Sequence, residues 1–325
     1  VPTLLAEACA TMVSMGRWWI VVVAAGASLG LWLAAGVVLC ESAVHVPKRA
    51  MPDTSFAHVS RRTVQIIARD GAVLRAWLFT PEDSNGNSVM VLHGISDSRA
   101  GVMGLARLFV ENHYTVLAPD NRGHGESGGG EVTYGLREAD DVHRWVDWLI
   151  ASQHPRNLYG MGESLGAAVL LEALGGERRF SAVVAECPFA DFESVAEDRV
   201  AQRIRGPQLV RRSLAVPMVW SGFLYARIRY GLDFRAASPE TVISRTRTPV
   251  LLIHGLADTN IYPAHSEALR ARNPQYLELW LVPGAVHTAA YGAAPLEFPE
   301  RVLGWFADHA AGWQAEAPAP HTHVY

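Results

Sequence analysis

Two hydrophobic periods organise the chain. The stretch "RRTVQIIARDGAVLRAWLFTP" places two strand-like segments on either side of Arg69-Asp70-Gly71. Apolar, β-prone runs meeting at an Asp-Gly turn predict a hairpin. Further on, the apolar stretches are short and unbroken: "NSVMVLHG", "YTVLAPD", "RNLYGMG", "FSAVVAECP", "TPVLLIHG" and "YLELWLVPG". Runs of this length predict strands buried on both faces. Between them the spacing changes to three and four. Apolar residues fall at Val102, Leu105, Leu108 and Phe109, and again at Leu136, Ala139, Val142, Val146 and Leu149. Helices are predicted there, and also over "LGAAVLLEALGG", "AHSEALRAR" and "PERVLGWFADHA". Strands alternating with helices predict an α/β domain over residues 63–310, a mainly parallel, doubly wound sheet entered by an antiparallel hairpin. In such sheets, function sits at the carboxyl ends of the strands.

Two segments break this rhythm. Residues of about 192–246, between two core strands, are helical in pattern and rich in arginine. They are expected to form a small helical cap above the strand ends. The second exception is "WWIVVVAAGASLGLWLAAGVVLC", residues 18–40, which carries no charge. About 20 apolar residues cross a bilayer core, and signal-peptide apolar regions are usually shorter, so an uncleaved single-pass anchor is expected. Trp18 and Trp19 suit an interface, with Arg17 before the run and Lys48 and Arg49 after it. Gly26 and Gly30 are spaced for helix packing, or are simply small residues in an Ala/Gly-rich span. Residues 1–17 read as a stub, 41–62 as a linker and 311–325 as a disordered tail. Met15 is a candidate start residue, which would leave residues 1–14 outside the native protein. The flanking charges do not settle sidedness, although an extracytoplasmic catalytic domain is preferred.

Composition narrows the function classes. The formal charge is -4 and the pI about 6.4, and no basic stripe with interleaved aromatics is present, so no nucleic-acid partner is expected. Cys9, Cys40 and Cys187 are far apart, which excludes a disulfide framework or a zinc-type cysteine site. His321 and His323, in the tail, suit only incidental metal contact. No metal site is expected.

The chemistry converges on "GMGESLG". Ser164 follows a predicted strand and precedes a predicted helix, the context of a nucleophile elbow. Gly162 and Gly166 leave room where side chains would collide in so sharp a turn. A serine hydroxyl needs a base, and His287, in a loop after the last strand, can swing over the strand ends. His265 and His309 read as surface residues. The base needs an acid to fix its tautomer. Asp258 is favoured, Asp191 is the alternative, and Asp120 is expected to bond the backbone of loop 121–128. Two N–H groups should face the developing oxyanion, those of Leu165 and Ile95, with His93 and Gly94 shaping the second turn. A histidine base predicts activity that rises as the imidazole deprotonates.

The motifs "VLHGISDSR", "VLAPDNRGHGESGG", "GESLG", "LLIHGLADTNIYPAHSEAL" and "GAVH" together resemble the α/β-hydrolase superfamily. The chain looks most like bacterial members related to monoglyceride lipases, depalmitoylases and the serine-aminopeptidase-like group. The resemblance covers about Thr63 to Ala310 and leaves the N-terminal span outside. It implies hydrolysis of an ester, thioester or amide through an acyl-enzyme, without a cofactor. It also supports Asp258 as the acid, because the family's D-x-x-x-P pattern fits Asp258 and Pro263 with one extra residue. Glu163 stands where the family often has histidine or another polar residue. The expected substrate is a small or lipid-like acyl compound and the expected activity carboxylesterase- or lipase-like. The alternatives are a serine exopeptidase or amidase, with Glu193, Glu197 or Asp198 holding a substrate amine, and a catalytically silent membrane-anchored binding protein. The pattern leaves the oligomeric state open.

Overall fold

The computed structural model describes residues 2–49, 52 and 54–310. The expected tail of 311–325 lies outside them. The described residues divide into two compact units: one built from residues 2–43 and 196–233, the other from residues 44–195 and 234–310.

The larger unit holds an eight-stranded sheet. Its strands are β1 (Val59–Ile67), β2 (Val73–Pro81), β3 (Ser88–Leu92), β4 (Thr115–Pro119), β5 (Leu158–Glu163), β6 (Ala182–Glu186), β7 (Val250–Gly255) and β8 (Leu277–Val282). Their order across the sheet is β1-β2-β4-β3-β5-β6-β7-β8. β1 pairs antiparallel with β2, and β2 antiparallel with β4, while every other pair is parallel. The hairpin turns where the Asp-Gly signal lies: Gly71 has φ +86°, and its N–H donates to Ala68 O at 2.9 Å.

Burial follows the hydrophobic pattern. β3, β4 and β6 are buried at every position, as continuous apolar strands covered on both faces must be. Edge strand β1 alternates between half-buried and exposed positions. The covering helices include α2 (Met103–Glu111), α3 (Glu138–Gln153), α4 (Leu165–Ala173), α8 (Ala264–Arg272), the short α9 (Ala290–Ala293) and α10 (Glu297–Asp308). α10 closes the core by stacking Phe306 on Tyr159, ring centroids 4.3 Å apart, and Tyr159 Oη donates to Phe306 O at 2.9 Å. α4 is buried at all but one of its positions. It leads away from the strand ends where the candidate chemistry lies.

The smaller unit is helical. Helix α1 runs without a break over Pro2–Val44, so the expected stub and span share one helix, which continues into the expected linker. At the other end of that linker, β1 begins at Val59, before the expected boundary at 63. The inserted segment is helical as expected: α5 (Phe192–Arg203), α6 (Gln208–Tyr230), a 3-10 turn at Phe234–Ala236 and α7 (Pro239–Ile243). Only residues 196–233 of it join α1, while residues 234–246 belong to the larger unit. α6 buries Ala215, Val219, Gly222 and Ala226, one face of a helix.

Gly36, rather than Gly26 or Gly30, makes the close helix contact. A Cβ on Gly36 would meet Met218 O at 2.6 Å, and one on Gly222 would meet Gly36 O at 2.8 Å, whereas Gly26 and Gly30 have nothing within 4 Å. Backbone approach this close requires glycine on both helices. Beyond it, the Tyr225 and Tyr230 hydroxyls donate to Glu41 Oε1 at 2.7 and 2.6 Å. Gly36→Ala should lower stability by about 1–3 kcal/mol through overpacking. Gly26→Ala should be neutral or stabilising by up to about 1 kcal/mol, from helix propensity alone. Thermal unfolding of the full chain in detergent measures both.

Candidate active site

The candidate site begins at the junction of β5 and α4. Ser164 sits between them with φ 52° and ψ -114°, a conformation L-residues rarely adopt and one that costs of order 1–3 kcal/mol. The surrounding backbone holds it there. Ser164 N–H donates to Glu186 O at 2.8 Å, and its carbonyl accepts Ala168 N–H at 3.1 Å. The flanking glycines are demanded by space. A Cβ on Gly162 would lie 2.5 Å from Gly166 O and 2.6 Å from Ala167 N, and one on Gly166 would lie 2.7 Å from His93 O.

His287 reaches this serine from the loop after β8. Its Nε2 accepts from Ser164 Oγ at 2.9 Å, and its Nδ1–H donates to Asp258 Oδ2 at 2.7 Å. Asp258 follows β7, and its Oδ1 accepts the N–H groups of Asn260 and Ile261 at 2.8 and 3.1 Å. Burial alone would raise this carboxyl, but hydrogen bonds from His254 and His287 outweigh it and hold the group below the usual carboxylate range. His254 is fixed in turn: Nε2–H donates to Ile261 O at 2.9 Å and Nδ1 accepts from Ser266 Oγ at 2.7 Å. A carboxylate, an imidazole and a hydroxyl bonded in series can transfer the hydroxyl proton to the imidazole.

The other candidate acids take different partners. Asp191 Oδ1 accepts Ser194 N–H at 2.7 Å, at the start of α5. Asp120 accepts the N–H groups of Arg99 and Glu126 at 2.7 and 2.8 Å, which is the backbone role expected of it. His265 is no surface residue. It is buried, and its Nδ1 accepts Ala190 N–H at 3.3 Å.

The loop after β3 packs against the serine: a Cβ on Gly94 would sit 3.3 Å from Ser164 Cβ. Two neutral histidines hold the loop. His93 Nδ1–H donates to Gly94 O at 2.7 Å, and its Nε2 accepts Asn121 N–H at 3.0 Å. His124 Nδ1–H donates to Arg122 O at 2.9 Å, and its Nε2 accepts Ser96 N–H at 3.2 Å. Burial pushes the His93 imidazole down to about 3 and lowers His124 as well. The N–H groups of Ile95 and Leu165 have no protein acceptor among the described residues.

Comparisons with known proteins identify the fold. The Pyrococcus furiosus esterase Pf2001 superposes with a TM-score of 0.65 at 23% identity, covering 81% of this chain and 98% of its own. This chain is an α/β-hydrolase by fold. Residues 83–204 match the family model described as Hydrolase_4, serine aminopeptidase, S33. Uncharacterized protein YqkD of Bacillus subtilis (strain 168) is 26% identical over 287 residues, 83% of this chain and 92% of YqkD. A monoacylglycerol lipase of Mycolicibacterium smegmatis is 26% identical over 258 residues, 71% of this chain and 92% of the lipase.

The candidate site also contains groups that the sequence motifs do not nominate. Glu186 ends β6, buried, directly beside Glu163 in the strand register. Its Oε1 accepts Ala290 N–H at 2.9 Å, so one residue ties Ser164 through its backbone and the His287 loop through its side chain. Burial raises the Glu186 carboxyl to about 7; burial, then Glu186 and Asp97, raise Glu163 to about 8. Cys187, with φ 51°, is also buried, and burial pushes its thiol up. Donor atoms of Cys187, His254 and Asp258 lie within 4.8 Å of one another, a spacing that could hold a metal ion. The chemistry fits poorly: His254 Nε2 already donates to a carbonyl, and Asp258 Oδ2 already accepts from His287.

Glu186 gives a signed pH effect. Its carboxyl pKa of about 7 in the folded chain stands above the ordinary glutamate value of 4.5. The protonated folded form therefore contributes stability that is fully present below pH about 4.5 and lost as pH rises through about 7. Glu186→Gln keeps an acceptor for Ala290 and removes this titration. Urea unfolding from pH 4.5 to 8 should lose on the order of 2–3 kcal/mol of its decline in the variant.

Proposed function

We propose that this α/β-hydrolase cleaves an ester or thioester through an acyl-enzyme at Ser164, and that helix α1 tethers it to a membrane. The observation that carries the reading is the series Ser164–His287–Asp258, with hydrogen bonds of 2.9 and 2.7 Å. In the first half-reaction, Ser164 Oγ attacks the substrate carbonyl carbon while its proton passes to His287 Nε2. Asp258 keeps the Nδ1–H tautomer in place and stabilises the imidazolium. The carbonyl oxygen becomes an oxyanion facing the N–H groups of Ile95 and Leu165. Stabilisation by one such donor amounts to about 3–4 kcal/mol in comparable sites. Collapse of the tetrahedral species breaks the bond to the alcohol or thiol, which leaves with the proton from His287. Water then repeats the sequence, giving its proton to His287 and releasing the acid.

The lipase and esterase relatives support a small or lipid-like acyl substrate. The tether is supported by Trp18–Val44, whose most apolar 18-residue stretch has a mean hydropathy of 2.2 and is only 6% buried. A helix near the N-terminus with these properties also suits a cleaved signal. Retention of the mature chain in membranes after alkaline carbonate washing favours the tether.

A second reading, a serine exopeptidase or amidase, draws support from the description of the matching family model. Two acidic residues that could hold a substrate amine are already engaged: Glu193 with Arg235 at 3.1 Å and Asp198 with Arg212 at 3.2 Å. The ester reading is favoured for that reason. Matched p-nitrophenyl esters and aminoacyl anilides should show higher kcat/KM on the esters, and the reverse order would replace ester hydrolysis by amide hydrolysis. Ser164→Ala should lower ester turnover by roughly 10³-fold or more, and Asp258→Asn by roughly 10³–10⁴-fold. A fluorophosphonate probe should label wild type and spare Ser164→Ala. Equal turnover by wild type and Ser164→Ala would sink the acyl-enzyme proposal.

A further inference from the structure

α6 carries an exposed apolar face that no step of the proposed reaction uses. Val210, Leu214, Pro217, Trp220, Leu224 and Ile228 are exposed and recur at intervals of three and four. They therefore form one stripe along the helix. Leu224 is 60% exposed and Ile228 76%, in a helix that also buries its opposite face against α1. Water is an unfavourable neighbour for so long an apolar stripe.

The neighbouring helix points to what covers it. α6 meets α1 backbone to backbone at Gly36 and Gly222, and α1 is long and apolar enough to cross a membrane. The exposed apolar surfaces of α1, at Leu31, Leu33 and Val38, belong to the segment that makes this contact. A cavity of about 410 Å³ within the same unit is lined by Leu31, Ala34, Val38, Val200 and Met218, with Arg203 also at its wall. An apolar cavity of this kind suits an acyl chain.

Charge and length define how α6 would meet the lipid. Ser213–Ala226 holds no charged residue, whereas Arg211 and Arg212 precede it and Arg227 and Arg229 follow it. At 1.5 Å per residue that uncharged run covers about 21 Å, short of the roughly 30 Å hydrocarbon core. Apolar runs of this length with arginines at both ends suit the boundary between headgroups and acyl chains. We infer that α6 is a lipid-contacting helix that lies in one leaflet beside α1 and docks its Val210–Ile228 stripe on acyl chains, with its terminal arginines on lipid phosphates. This rests on the reading of α1 as a membrane helix.

The test uses the full chain in vesicles of phosphatidylethanolamine and phosphatidylglycerol. A spin label is placed by Leu224→Cys, by Val23→Cys on α1 or by Glu278→Cys on the exposed edge of β8, each with Cys9 replaced by serine. Cys40 and Cys187 are buried. Labels at 23 and 224 should collide more often with oxygen than with a water-soluble nickel complex, and the label at 278 should show the reverse ratio. If 23 is in lipid while 224 behaves like 278, the inference fails and the anchor stands. If 23 also behaves like 278, both fail. Dipolar broadening at 224 that disappears on dilution with unlabelled chain would make a second copy the occupant and overturn the lipid assignment. A lipid-soluble diazirine probe applied to wild type gives a test independent of the substitutions: it should insert into residues 208–230, and a peptide left unlabelled there would overturn the inference.

Discussion

The candidate site depends on one strained backbone position. Ser164 at φ 52° would relax into an ordinary strand or helix conformation if its neighbours allowed it. They do not, because β5 is paired on both sides, with β3 and β6, and α4 is buried along almost its whole length. The strand end and the helix start are thus fixed independently, and the single residue between them must take the turn. Strain of order 1–3 kcal/mol is small against the burial of a nine-residue apolar helix. The sheet core therefore determines where the serine hydroxyl stands. The glycines at 162 and 166 are the steric condition for that closure.

Around this position the protein manages charge by burial. His93 and His124 are kept neutral, each using one ring nitrogen as donor and the other as acceptor. A protonated ring would lose its acceptor and release either Asn121 or Ser96. The loop carrying Ile95 is thus held by groups whose protonation is suppressed. Asp258 is treated in the opposite way. His254, His287 and two backbone N–H groups keep it ionised in a buried place, where an unpaired carboxylate would be costly. Glu186, with a single backbone donor on its side chain, is instead raised toward neutrality. The two carboxyls are thereby driven apart, Asp258 toward its ionised form and Glu186 toward its neutral one.

Much of this was legible locally. The strand–glycine–serine–glycine–helix pattern nominates Ser164, and the positions after the last two strands nominate Asp258 and His287; the structure brings these three side chains into hydrogen-bond contact. The alternation of apolar runs and helical spacing likewise anticipates the mainly parallel sheet. What was not legible depends on contacts between distant segments. Glu186 looks like the polar end of a strand until parallel pairing sets it beside Glu163 and the His287 loop reaches it. His265 reads as polar on a short amphipathic helix, and is buried because Ala190 passes over it. Gly26 and Gly30 have the spacing of a packing motif, yet Gly36 makes the contact, because its partner on α6 lies 186 positions away in the chain.

The same distinction separates the two kinds of apolar surface in the molecule. In the larger unit, apolar residues are consumed by the sheet: nearly every large side chain of the central strands is buried, while Arg62 and Glu278 on the edge strands face water. In the smaller unit, α6 buries Ala215, Val219, Gly222 and Ala226 and α1 buries Gly36 and Cys40, while Leu31, Leu33, Val38, Leu214, Leu224 and Ile228 stay exposed. Packing with small residues inside and large ones outside is the inverse of a water-soluble helix pair. Such an arrangement is stable where the surroundings are as apolar as the side chains, since association then rests on close backbone approach rather than on hydrophobic exclusion.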